Sequence, residues 1–155
     1  MVEIERKFLV TNASECIKKA KTSFIIVQGY LSKDPARTVR VRICEQQAFL
    51  TIKGASSADG TTRIEWEKEI SVNDAEVLLP LCLPGIIRKI RHHVYHKNQR
   101  FEVDVFEGEL KGLIVAEIEL ETPTQKIDFP NWLGKEITGD IRYYNSVLAA
   151  HGIPD

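Results

Sequence analysis

The 155-residue chain has no excess of either charge: 21 Lys and Arg stand against 22 Asp and Glu, a net charge of −1. That balance excludes the overall basic footprint of a nucleic-acid-binding domain. No apolar run approaches the length of a membrane span. The first ten residues, MVEIERKFLV, carry charge at alternate positions, so they are expected to be neither a signal peptide nor a transit sequence. Cysteine is scarce: Cys16, Cys44 and Cys82 are odd in number, widely spaced and in no CxxC arrangement, which predicts reduced, mostly buried thiols in a cytoplasmic protein. Internal repeats and low-complexity segments are absent.

What remains is ordinary for a folded domain. Hydrophobic residues make up 43% and charged residues 28%, outside the disordered class. The length predicts one domain over residues 1–155, burying roughly 68–70% of its unfolded surface.

Alternation with period two dominates. Glu3, Glu5 and Lys7 alternate with Val2, Ile4 and Phe8, and Arg40 and Arg42 with Val39, Val41 and Ile43. Further alternating stretches run through Leu50–Lys53, Arg63–Ile70, Phe101–Val105 and Glu117–Glu121, with two more strands expected over Ile25–Leu31 and Ile86–Lys97. Period two is the mark of a strand with two unlike faces. Three helices are expected: from the Asn12/Ser14 cap to about Ala20, from the Ser71–Asn73 cap through Leu79, and from about Arg142 to Ala150. Eight regularly spaced strands with a few helices predict an α+β protein built on one antiparallel β-barrel with helices packed outside.

Periodicity alone leaves open whether the charged faces look outward to water or inward to a bore. Charge sorting bears on the choice. Arg40, Arg42 and Lys53 form a basic set without an acid. Glu3 with Glu5, Glu65 with Glu67, Glu102 with Asp104, and Glu117 with Glu119 each place two carboxylates on one strand face, roughly 6.5–7 Å apart. Like charges that close need a counter-charge. Clustered carboxylates suit hard divalent cations, and clustered Arg and Lys suit phosphate oxygens.

The motifs ExExK at Glu3–Lys7, QGYL at 28–31, RVR at 40–42, TIK ending at Lys53, RIEWE at 63–67, RKIR at 88–91, FEVDVFEG at 101–108, AEIELE at 116–121 and GDIRYYN at 139–145 together resemble the CYTH family, or triphosphate tunnel metalloenzymes, in its bacterial inorganic-triphosphatase-like branch. The resemblance runs over almost the whole chain. It implies an eight-stranded antiparallel barrel with its charges inside, a Mg²⁺ or Mn²⁺ cofactor and hydrolysis of a triphosphate, first of all inorganic tripolyphosphate. It equally covers thiamine or nucleoside triphosphatases and class IV-type adenylate cyclases, and a non-catalytic polyphosphate-binding module is a further alternative. Glu3, Glu5, Glu117 and Glu119 match the family's metal ligands. Lys7, Arg40, Arg42, Lys53, Arg63 and Arg91 match its phosphate-binding bases. Glu65, Glu67, Glu102 and Asp104 match interior acids that position those bases or a second metal. Lys89 and Tyr30 match a pair implicated in activating the attacking water. The expected partner is a small-molecule triphosphate, not nucleic acid or membrane, with a homodimer left open. Of the remaining residues, Trp66 and Phe101 are expected to pack the outer wall under a helix, Trp132 to anchor the C-terminal segment, and Tyr143 and Tyr144 to serve as packing or lid residues. His92 and His93 point to opposite faces of a strand and so cannot share a metal.

Overall fold

The computed structural model describes all 155 residues. The strands are β1 (Val2–Val10), β2 (Ala20–Ser32), β3 (Arg37–Cys44), β4 (Gln47–Ser56), β5 (Thr62–Ile70), β6 (Ile87–His96), β7 (Gln99–Phe106), β8 (Ile114–Glu119) and β9 (Leu133–Glu136). The helices are α1 (Ala13–Lys18), α2 (Val72–Leu78) and α3 (Asn145–His151). The sheet runs β5-β4-β3-β2-β6-β7-β8-β1-β9, and β5 pairs back onto β1, so the first eight strands close into an antiparallel barrel. Closure gives each of the eight strands a partner on both sides, though only through three residue pairs where β5 meets β1, and so shortens the open edge that a sheet of this size otherwise has to protect. The ninth strand is a short branch alongside β1, pairing Phe8 with Glu136 and Val10 with Leu133.

Tight turns fix the registers. Lys97 and Asn98 join β6 to β7 with positive φ at both positions, 48° and 62°, the backbone that two-residue hairpins require. The helix starts were legible: the Asn12 side chain accepts from the Glu15 N–H, and that of Ser71 from the Asp74 N–H. Each satisfies a donor that the first helical turn leaves free.

The apolar faces of the strands divide among three clusters. Phe8, Val94, Phe101, Val103, Ala116 and Ile118 pack outside the barrel with Cys16 of α1 and with Trp132. Trp132 is fully buried and meets Phe101 edge to face at 5.2 Å. Val41 and Ala48 pack under Ala75 of α2. The third cluster joins Ile87, Phe106 and Val115 to Leu148 of α3. These three strand residues share the parity of Lys89, Asp104 and Glu117, so α3 does not lie on the outside with the others: it stops one end of the barrel.

Two further expectations are corrected. The last helix does not begin near Arg142. Ile141–Tyr143 form a 3₁₀ turn, Tyr144 is extended at ψ 134°, and the α-helix starts only at Asn145. Trp66 is not covered by a helix. It stands exposed on the outer wall with Ile52 opposite it, beside exposed Ile64 and Val2, because α2 covers only the other end of those strands.

Candidate active site

The charged faces point inward. A cavity of about 230 Å³ runs within the barrel. Every charged residue singled out in the sequence lines it, together with Tyr30, except Asp104, which is fully buried behind Lys89 and Arg91. Apart from Tyr30 and Tyr144, the lining is charged, polar or glycine.

Register places the acids. Across β1 and β8, Glu5 stands opposite Glu119 and Lys7 opposite Glu117; across β7 and β8, Glu102 stands opposite Glu117. Lys7 Nζ lies 3.7 Å from Glu5 and 3.6 Å from Glu117. Glu3 accepts from Lys53 at 2.6 Å, and Lys53 also reaches Glu65 at 3.3 Å. These acids are not equivalent. Burial, reinforced by the Glu117 charge, pushes the Glu5 carboxyl up to about 8. Burial also opposes the charge on Glu117, yet Lys7 and then Arg91 hold its carboxyl well below the usual range. Burial, with Glu102 and Glu3 nearby, raises Glu119. Two carboxylates serving one lysine leave a deficit of positive charge, and Glu5 carries it.

The basic side is built on β3, β4 and β6. Arg40 donates to Thr51 Oγ1 at 3.2 Å, and Thr51 donates in turn to Glu67 at 2.6 Å. Arg40 Nε is buried with no partner. Arg42 Nε donates to Gln28 Oε1 at 2.9 Å. Burial, with Arg40 and Arg91 nearby, lowers the Arg42 guanidinium to about 10. Arg63 donates to the Gly54 carbonyl at 2.8 Å. Arg91 grips Asp104 through two N–H groups at 2.7 and 2.8 Å and reaches Glu102 at 3.0 Å. Lys89 is fully buried, 2.7 Å from Asp104 and 2.9 Å from Asn145 Oδ1. Burial lowers its ammonium to about 7, with Arg91 and Arg42 adding to the shift and Asp104 opposing it. Of the two histidines, His93 shares the inward parity of Arg91 and lies 3.7 Å from Glu102, whereas His92 lies on the other face.

Several lining residues carry no charge and were not foreseen: Thr38, Thr51, Ser56, Thr138, Asn145 and Ser146. Neutral polar residues on a strand or at a helix start look alike whether they face a site or water. Tyr144 was expected as packing or lid. It lines the cavity, its hydroxyl 3.0 Å from Ser56 Oγ and its ring 5.6 Å from Lys7 Nζ. Beside it the β4–β5 loop meets the 138–140 segment backbone to backbone, since a Cβ on Gly60 would fall 2.2 Å from Gly139 Cα. Both glycines have positive φ, 78° and 75°.

A divalent cation is the test of the acid set. No three of the His, Cys, Asp or Glu side chains converge as a ready-made cage. Mg²⁺ needs none: it keeps several waters and takes one or two carboxylates plus substrate phosphates. The donors here are hard oxygens, and a carboxyl as short of counter-charge as Glu5 is suited to a cation.

Residues 1–146 match the CYTH domain. The chain is 41% identical over 147 residues to an inorganic triphosphatase of Acetivibrio thermocellus, covering 94% of this chain and 92% of that one. It is 36% identical over 154 residues to an inorganic triphosphatase of Nitrosomonas europaea, covering 96% and 97%. A crystal structure of an inorganic triphosphatase superimposes with a TM-score of 0.69 at 32% identity, covering 99% of this chain and all of that one.

Proposed function

The chain belongs to the CYTH domain family, and from that premise we propose that it is a divalent-metal-dependent triphosphatase that hydrolyses inorganic tripolyphosphate to pyrophosphate and phosphate. The observation that carries this reading is the sorting of charge inside one bore: unpaired guanidinium N–H on the β3 side, under-neutralised carboxylates on the β1–β8 side. A metal–polyphosphate supplies both missing charges at once. The lining favours a bare phosphate chain over a nucleotide, because beyond two tyrosines it offers no apolar surface to a base.

Breaking a phosphoanhydride spreads charge over the equatorial oxygens of the transferred group. The protein's task is therefore to hold the chain and neutralise it. Arg40, Arg42, Lys53, Arg63, Arg91 and Lys7 bind the phosphates, the arginines with forked donors. Glu3, Glu5, Glu117 and Glu119 hold the Mg²⁺ or Mn²⁺, and the bound ion supplies charge neutralisation at the phosphate oxygens. Glu65, Glu67, Glu102 and Asp104 fix the bases. Lys89, its ammonium brought near neutrality, takes the proton of the attacking water, with Tyr30 beside Arg40 across β2 and β3 as its companion. Water adds at a terminal phosphorus, the P–O bond to the pyrophosphate breaks, and the pyrophosphate leaves with the electron pair. The cysteines form no disulfide, which supports placing the protein in the reducing cytoplasm.

Purified protein incubated with tripolyphosphate, pyrophosphate, ATP or thiamine triphosphate, each with Mg²⁺ or Mn²⁺, tests the reading by released phosphate. Fastest release from tripolyphosphate, with one pyrophosphate per phosphate, is expected. Equal background in every tube, or cyclic AMP from ATP, overturns it.

A further inference from the structure

The stopper at the barrel's end does more than close it. Asn145, the first residue of α3, sits where the apolar plug meets the charged bore. Its Oδ1 accepts from Lys89 Nζ at 2.9 Å and from Gln28 Nε2 at 3.0 Å. Gln28, itself fully buried, accepts from Arg42 at 2.9 Å. The orientation of both amides follows from chemistry. Arg42 can only donate, so Gln28 must turn its oxygen to Arg42 and its NH₂ to Asn145. Asn145 then faces two donors and must present oxygen to both. One unbroken chain thus runs from a phosphate-binding arginine to Lys89 and on to Asp104 and Arg91.

We propose that Asn145 is a positioning residue for Lys89, delivered to the site by the docking of α3. This rests on Lys89 acting in the triphosphatase reaction as described above. An ammonium has three donor positions. Asp104 and Asn145 take two of them. The Phe106 ring, with its centroid 5.2 Å from Nζ, walls another side. The remaining position, a lone pair once the ammonium has given up its proton, is the one offered to the cavity. Without Asn145 the amine hinges on Asp104 alone and Gln28 loses its acceptor. Leu148, one turn along α3 and packed against Ile87 and Phe106, fixes how far Asn145 reaches into the bore.

Asn145→Ala and Asn145→Asp, the second keeping an acceptor oxygen, are compared with wild type on tripolyphosphate. The Ala variant is expected to lose about 10- to 100-fold in kcat, the scale on which displacing a catalytic group is felt, with KM little changed because Arg40, Lys53 and Arg63 are untouched. The Asp variant keeps the acceptor but sets a carboxylate beside Nζ, which favours the ammonium, so it recovers the lost rate only at a pH above the wild-type optimum. In a Lys89→Met background Asn145→Ala adds no further loss. A loss that multiplies with that of Lys89→Met, or a change in KM and melting temperature without a change in kcat, overturns the proposal. One readout needs no turnover. In protein carrying ¹³C-labelled lysine, the Lys89 side-chain resonance, assigned by its disappearance in Lys89→Met, shifts or broadens in Asn145→Ala. A resonance indifferent to that substitution overturns the proposal even if tripolyphosphate proves not to be the substrate.

Discussion

The two walls of the bore answer burial in opposite ways. On the β1–β8 wall, carboxylates outnumber the cations within reach, and the shortfall appears as the raised Glu5. On the β3–β6 wall, guanidinium groups crowd one another, and the excess appears as the lowered Arg42. Only the group between them is balanced, Lys89 and Arg91 against Asp104 and Glu102, with contacts of 2.7 to 3.0 Å throughout. A buried cluster that is locally neutral serves stability. One that is left charged is suspended at a cost to stability that a ligand removes. The contrast separates the residues that hold the barrel from those that await something in it.

Substitutions can break this contrast, beginning with the largest effect. Glu5→Ala is expected to abolish metal-dependent hydrolysis, a fall of at least about 100-fold in kcat; activity kept within a few-fold would remove Glu5 from the metal set. Its isostere Glu5→Gln should be equally inactive yet more stable than wild type without metal. The sign follows from a carboxyl raised to about 8. The folded state holds its proton between roughly pH 4.5 and 8 while the unfolded chain has lost it, so stability falls as pH rises through that window. Thermal melts of metal-free protein should show that slope in wild type, and a shallower one in Glu5→Gln.

On the opposite wall, Arg42→Ala should cost about 100-fold in kcat/KM while the melting temperature holds, since it removes a buried charge crowded by Arg40 and Arg91. Unfolding without a specific kinetic effect would make Arg42 structural. Asp104→Asn probes the balanced group. It leaves Lys89 buried without a carboxylate and Arg91 with only Glu102 and the more distant Glu117, and should destabilise by about 3–5 kcal/mol, measured by urea denaturation. The smallest effect belongs outside the bore: Ile64→Thr, at a side chain 69% exposed, should change stability by no more than about 0.5 kcal/mol and leave kinetics alone.

Charge alternation made the strands legible, while the inward direction of their charged faces was implied by the family resemblance. Glu3, Arg40, Lys53, Arg63, Arg91, Glu102 and Glu117 each mark an inner face, and seven of the eight barrel strands carry such a mark. The exception is β2, which turns Gln28 and Tyr30 inward and announces itself only by its apolar residues. Strand β9 escaped notice because Leu133–Glu136 is short, contains a glycine and does not alternate. The start of α3 was misplaced because Arg142–Ala150 reads as one helical stretch, whereas Tyr144 breaks the run and so turns Asn145 toward Lys89. Trp66 looked like core by type alone; which end of the outer wall α2 covers is set by packing, not by local sequence.

The barrel closes where Val2, Glu3 and Ile4 pair with Ile64, Arg63 and Thr62, against eight paired positions between β3 and β4. So short a zip is the weakest lengthwise join in the cylinder, and Glu3 and Arg63 belong to it. Amide hydrogens along it should trade with deuterium ahead of those in the long hairpins. A metal–triphosphate held through Glu3 on one side of that join and Arg63 on the other would act as a rivet, slowing the exchange there before anywhere else.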